Sequence, residues 1–370
     1  MKIGIIDADL IGRKNHRFPN LVSMKLSAYY KNLGGQVQLL TNYDDLVGYD
    51  KVFISKVFTD TYIAPEILEM PNVSYGGTGF YYDKAPRLSP EIEHHMPDYH
   101  LYDDYVNSKL AAGESKVGYK YYTDYSIGFL TRGCFRKCSF CVNQNYDRVH
   151  LHSPLHEFLD ESRKKICMLD DNFLGHPEWK RLLQEVIDTG KPFTFKQGLD
   201  ERILTDEKCK LLFSGKYDGD ITFAFDNVAD YDLIKSKLEL IRKYTDKPMR
   251  FYVFTGFDRN NKWDLDFWKQ DLEDLFKRIK LLMEYHCVPY IMRFNRYVES
   301  PYQGIYITVA RWCNQQSLYK KKSLREYAAM ENSIRKSGVC KNWMYLTQVE
   351  RELPEIAEKY FDLKYENNAK

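Results

Sequence analysis

Short apolar runs alternate with amphipathic stretches from the first residues of the chain onward. Residues 3–6, all but Gly4 isoleucine, read as a buried strand. Over residues 21–33 the apolar side chains Val22, Leu26, Tyr29, Tyr30 and Leu33 recur at helical spacing, and Gly34-Gly35 closes the helix. Strands are expected again over 37–40 and 51–54. A strand, helix, strand order of this kind predicts a parallel, doubly wound sheet.

Gly76-Gly77, Pro86, Pro90 and Pro97 interrupt residues 76–115, which are expected to form a linker or wrapping segment. A second series follows, with strands expected over 126–131, 166–169, 193–196, 221–225, 251–254 and 290–293. Among the helices between them, 264–286 carries one apolar stripe of Trp268, Leu272, Leu275, Phe276, Ile279, Leu282 and Met283, with Asp264 as its N-cap. The expected fold class is α/β: a partial (β/α)6 parallel barrel core preceded by a smaller doubly wound Rossmann-like domain, with a helical C-terminal extension. The expected boundaries are 1–115, 116–300 and 301–370. Loops at the carboxyl ends of parallel strands converge on a ligand site in such folds.

Composition narrows the picture modestly. The 370 residues carry 54 basic and 52 acidic side chains, so net charge announces no polyanionic partner. Aromatics make up 15%, with 30 Tyr and 21 Phe. They fit a polar-lined cavity or a plain core preference equally well. Eight irregularly spaced cysteines do not resemble a secreted disulfide scaffold. The start of the chain shows no cleavage-site pattern, and no apolar stretch reaches membrane-spanning length. The expectation is a cytoplasmic protein without a membrane partner.

Chemistry concentrates in one loop. Gly133-Cys134-Phe135-Arg136-Lys137-Cys138-Ser139-Phe140-Cys141 spaces three cysteines as C-x3-C-x2-C directly after the first strand of the second series. Three thiolates do not complete a structural zinc site, which takes four ligands. They can hold three corners of a cubane iron–sulfur cluster and leave one iron open. The alternative is a zinc site completed by His150, His152 or a remote cysteine. Arg132, Arg136 and Lys137 either offset the charge of a cluster or are solvated surface cations.

The C-x3-C-x2-C loop, with Phe140 just before its third cysteine, resembles the radical S-adenosylmethionine superfamily over roughly residues 120 to 300. The resemblance implies a [4Fe-4S] cluster on Cys134, Cys138 and Cys141, whose open iron chelates S-adenosylmethionine and cleaves it to a 5′-deoxyadenosyl radical. An external electron donor such as a flavodoxin or ferredoxin is implied with it. The same resemblance makes Phe140 and the strand-end residues Asp170, Asp171, Gln197, Arg202, Asp226, Gly256 and Arg293 candidate cofactor contacts. For Arg202 an internal acid is the competing partner; for Asp170 or Asp171, a helix cap. It names no further catalytic residue and no substrate, since sites and not folds carry specificity.

The first hundred residues resemble the cobalamin-binding-type domain that precedes many such cores. No Asp-x-His-x-x-Gly is present, and His16 lies in the first strand-to-helix loop without that motif. Cobalamin is therefore not the favoured expectation, and cobalamin-assisted methyl transfer and a zinc-binding scaffold stand as rival readings. Lys320-Lys321-Lys322 offers a phosphate contact, but a solvated helix face is the commoner meaning, so a nucleic-acid partner is not favoured. Cys167, Cys209, Cys287, Cys313 and Cys340 are scattered; Cys167 and Cys287, beside apolar strand signals, read as buried small hydrophobes.

Overall fold

Ile3, Ile5 and Ile6 are fully buried because the strand they form is covered on both faces. In the computed structural model, which describes residues 1–333 and 338–365, this is β1, Lys2–Asp7. It pairs in parallel with β2, Gln36–Leu39, on one side and β3, Lys51–Ser55, on the other. β4, Val73–Gly76, completes a sheet of order β2-β1-β3-β4. The helix Leu21–Asn32 begins on the side chain of Asn20, which accepts from Ser23 N at 3.1 Å. Ile3 and Ile5 pack with Met24 and Leu26 of that helix on one face, while Ile6, Val52 and Ile54 face Leu40, Leu46 and Ile63 on the other.

The expected linker over 76–115 is more than a connection. Tyr99, Leu101, Tyr102 and Val106 from it are buried in the same cluster as Ile3 and Ile5. Tyr99 Oη also receives the Ile127 N–H at 2.7 Å and donates to Phe158 O at 2.6 Å. A tyrosine can bury its ring while its hydroxyl stays bonded, and here that ties the segment to the next sheet.

The chain divides into two compact units, Met1–Lys196 and Gln197–Lys370. The first unit also holds β5, Tyr125–Gly128, a short antiparallel ladder of β6, Thr131–Arg132, with β7, His150–Leu151, then β8, Lys165–Met168, and β9, Phe193–Phe195. β5, β8 and β9 form a parallel three-stranded sheet in that order. The strand expected over 126–131 is thus cut at Gly128, and Thr131 belongs to the ladder instead.

The second unit holds a parallel sheet of β10, Thr222–Ala224, β11, Met249–Thr255, and β12, Cys287–Arg293. Asp264 caps the helix Leu265–Glu284 by accepting from Phe267 N at 2.9 Å, and all seven residues of the expected stripe are buried. Helices Gln303–Asn314, Gln316–Tyr319, Leu324–Ser333, Lys341–Glu352 and Pro354–Tyr360 follow. The fold is mixed α/β with parallel sheets. No helix among the described residues is long and apolar enough to cross a membrane.

Candidate metal centre

The ladder between β6 and β7 sets Thr131 opposite Leu151 and Arg132 opposite His150, closing the base of a loop over residues 133–149. All three cysteines of the C-x3-C-x2-C stretch lie in it. Gly133 opens the loop at φ +93°, and a Cβ there would stand 2.7 Å from both Arg148 O and the Tyr146 ring. Only glycine meets both demands. Within the loop, Cys141 N donates to Cys138 O at 2.9 Å, and the Gln144 amide donates to Cys138 O and Ser139 O at 3.1 and 2.9 Å. The loop holds its own shape.

Cys134, Cys138 and Cys141 are each half-buried. Arg136 N and Asn172 Nδ2 donate to Cys134 Sγ at 3.4 and 3.3 Å, and Asn143 N donates to Cys141 Sγ at 3.4 Å. Donors aimed at sulfur lower the cost of a thiolate and tune any metal it binds. As the side chains stand, no group of three or more His, Cys, Asp or Glu among the described residues is gathered closely enough to hold a metal ion. The donor set itself suits a cluster: three soft thiols on one ordered loop, two with N–H donors on sulfur. His152, a rival zinc ligand, is engaged elsewhere, with Nε2 3.3 Å from Glu93 and Nδ1 3.1 Å from Ser153 Oγ.

Asp170 and Asp171 follow β8, and both turn to the loop and its approach. Asp170 is fully buried and accepts from Leu130 N, Thr131 N and Thr131 Oγ1 at 3.3, 2.6 and 2.7 Å. Burial pushes its carboxyl up to about 7. Asp171 accepts from Gly133 N at 2.7 Å and Asn143 Nδ2 at 2.8 Å, and lies 3.6 Å from Arg132 Nε. Neither carboxylate caps the helix that follows, Trp179–Asp188. Phe140 is half-buried within the loop.

The flanking cations are partly accounted for. Lys137 donates to Gln144 O at 2.7 Å and pairs with Asp147 at 2.7 Å. Arg132 lies over the Phe129 ring at 4.1 Å and Arg136 over Phe135 at 5.1 Å. Cys167, Cys209, Cys287 and Cys313 are fully buried, and burial pushes the Cys209 and Cys287 thiols up to about 11 and about 12. His16 is half-buried against the edge of Phe58, and burial lowers its pKa.

In the second unit the candidate residues are engaged locally. Gln197 is exposed. Arg202 donates to Asp200 at 2.8 Å and Asp230 at 3.3 Å, so its partners are internal acids. Asp226 accepts from Phe254 N at 3.0 Å, and burial raises its pKa. Gly256 N donates to Asp271 at 3.0 Å. Arg293 lies over the Tyr297 ring at 4.4 Å.

Residues that sequence reasoning passed over organise these strand ends. Asp271 Oδ2 accepts from Thr255 Oγ1, Gly256 N and Tyr306 Oη at 2.7, 3.0 and 2.7 Å. Arg278, fully buried, donates to Phe225 O at 3.0 Å and Phe254 O at 2.8 Å. Glu201 is buried, accepts from Ala224 N at 3.2 Å, and burial pushes its pKa up to about 8. The signal for the first pair was legible: Asp271 and Arg278 share a helix face with Leu275 and Leu282, and a charge inside an apolar stripe needs a buried partner. No family model matches the chain, and neither a curated protein nor a solved structure matches it.

Proposed function

We propose that the chain is an iron–sulfur enzyme that reductively cleaves S-adenosylmethionine. The observation that carries this reading is the C-x3-C-x2-C loop that follows β6 and is closed by the β6–β7 ladder, with N–H donors on the sulfurs of Cys134 and Cys141. Cys134, Cys138 and Cys141 are the proposed ligands of a [4Fe-4S] cluster. Such a cluster, reduced by an external donor, would supply the electron that splits the sulfonium into methionine and a 5′-deoxyadenosyl radical able to take hydrogen from a substrate.

The residues around the thiols have separate tasks in this reading. Asp171 fixes the entrance of the loop and its third cysteine, and Asp170 holds the turn that leads into β6. Asn172 and the backbone of Arg136 and Asn143 donate toward sulfur. Binding a cluster would ask the three thiols, which do not stand close enough to hold a metal as they are, to turn toward one another. Phe140, Gln197, Arg202, Asp226, Gly256 and Arg293 are the proposed cofactor contacts, and Arg202 is at present held by Asp200 and Asp230. The partial barrel and an external flavodoxin- or ferredoxin-type donor belong to the same proposal.

Iron and acid-labile sulfide measured after oxygen-free purification and reconstitution test it. The expected result is about four irons per chain, lost in Cys134→Ala, Cys138→Ala and Cys141→Ala alike. About one zinc per chain and no iron would reject it in favour of a zinc-binding scaffold.

A further inference from the structure

β12 closes one edge of its sheet, and the helix Gln303–Asn314 lies along that edge. Phe294 N donates to Thr255 O of β11 at 2.9 Å, so alternation along the strand turns the N–H and C=O of Ile291 and Arg293 to the open side. Asn314 takes up the pair at Ile291: its Oδ1 accepts from Ile291 N at 2.7 Å, and its Nδ2 donates to Ile291 O at 3.2 Å. This two-point clasp fixes the end of the helix against the strand. Arg311 lies about one turn before Asn314 on the same helix face. It is thereby set at the same cavity as Arg293, the last residue of β12.

That cavity holds about 440 Å³. Arg293 and Tyr297 line it from the strand side, and Ile307, Arg311, Asn314 and Gln315 line it from the helix. No carboxylate lines it, and neither arginine has an ion pair among the described residues. Elsewhere in the second unit Arg202, Arg250, Arg296 and Arg325 each meet an Asp or Glu. Arg293 is half-buried, with its guanidinium 4.4 Å from the centre of the Tyr297 ring. A ring in that position steadies a cation without cancelling its charge. Arg311 is exposed on the helix. Two positive charges therefore share one cavity with nothing negative in it.

We infer that this cavity binds the phosphate group of a small phosphomonoester. A guanidinium presents a rigid fork of N–H donors that matches phosphate oxygens, and two such groups answer a dianion. A single carboxylate carries one negative charge and leaves the second arginine unanswered. The volume falls within the range of small-molecule sites, and Tyr297, Ile307 and Ala310 offer apolar surface to the organic part of the ligand. The inference needs no cluster, so it stands or falls separately from the proposed function. Arg293 is shared with the proposed cofactor contacts and Arg311 is not, so Arg311 reads this site alone.

Isothermal titration calorimetry of phenyl phosphate into the full-length protein, without reconstitution, tests it. Saturable binding is expected, weakened at least about tenfold by Arg311→Gln and by Arg293→Gln, the usual cost of losing a hydrogen bond to a charged group. Arg311 is exposed, so its replacement leaves the packing untouched, and unchanged circular dichroism confirms that the variant folds. Benzoate, with the same ring and a single charge, should bind more weakly than phenyl phosphate. Loss of phenyl phosphate binding in Arg311→Gln, with the fold retained, supports the site. No saturable binding, benzoate bound as tightly as phenyl phosphate, or indifference to Arg311→Gln overturns the inference.

Discussion

Gly133 donates its backbone N–H to Asp171 Oδ2 at 2.7 Å, which fastens the first residue of the cysteine loop to the segment that follows β8. The other oxygen of Asp171 receives Asn143 Nδ2 at 2.8 Å, just past Cys141. One carboxylate therefore braces the loop at its entrance and behind its last thiol. This is the arrangement expected of a residue that positions ligands without being one.

Asp171→Ala should therefore leave the protein folded but loosen the loop. Iron retained against a competing chelator is expected to fall about 10- to 100-fold in affinity, the usual cost of losing an outer-shell partner. Thermal unfolding should shift by only a few degrees, on the order of 1 kcal/mol. Wild-type iron retention in Asp171→Ala would remove this residue from the site.

Glu201 gives a pH signature in the second unit. Burial raises its pKa from 4.5 to about 8. Between those values the folded chain keeps the proton and the unfolded chain has lost it. Its contribution to stability is thus full below pH 4.5, declines as pH rises, and is gone above about 8. Glu201→Gln cannot ionise, so the difference between variant and wild type should grow in the variant's favour across that window, by up to about 1.4 kcal/mol per pH unit. Urea unfolding at a series of pH values reads it; parallel pH profiles would show that Glu201 titrates normally.

Asp271 gathers three donors at the end of β11, and its loss should be felt as stability. Asp271→Ala leaves Thr255, Gly256 and Tyr306 without their acceptor in a buried setting. The expected cost is about 2–4 kcal/mol. Tyr306→Phe removes one donor only and should cost about 1 kcal/mol. Denaturant midpoints compare the two directly. Equal effects would mean that the Tyr306 hydroxyl carries most of the network.

Periodicity made the helix Leu265–Glu284 legible, cap included, because a 3.6-residue stripe and an Asp ahead of it are local signals. The pattern predicts β12 only over 290–293, whereas the strand runs Cys287–Arg293, with Pro289 inside it opposite Phe251. At the edge of the sheet of order β10-β11-β12, a proline with no N–H to offer is tolerated. The segment over 76–115 looked like a linker because its prolines and glycines punctuate it. Yet Tyr99 and Tyr102 bury their rings and bond through their hydroxyls, which sequence cannot distinguish from exposure. The thiol spacing was plain from the sequence; the tether through Asp171 was not, since it joins positions 38 residues apart.

The most direct measurement is the 5′-deoxyadenosine formed from S-adenosylmethionine by anaerobically reconstituted protein under dithionite. Product is expected from the wild-type chain and none above background from Cys138→Ala. Product at the wild-type rate from Cys138→Ala, or none from a wild-type chain that carries its full iron, would contradict it.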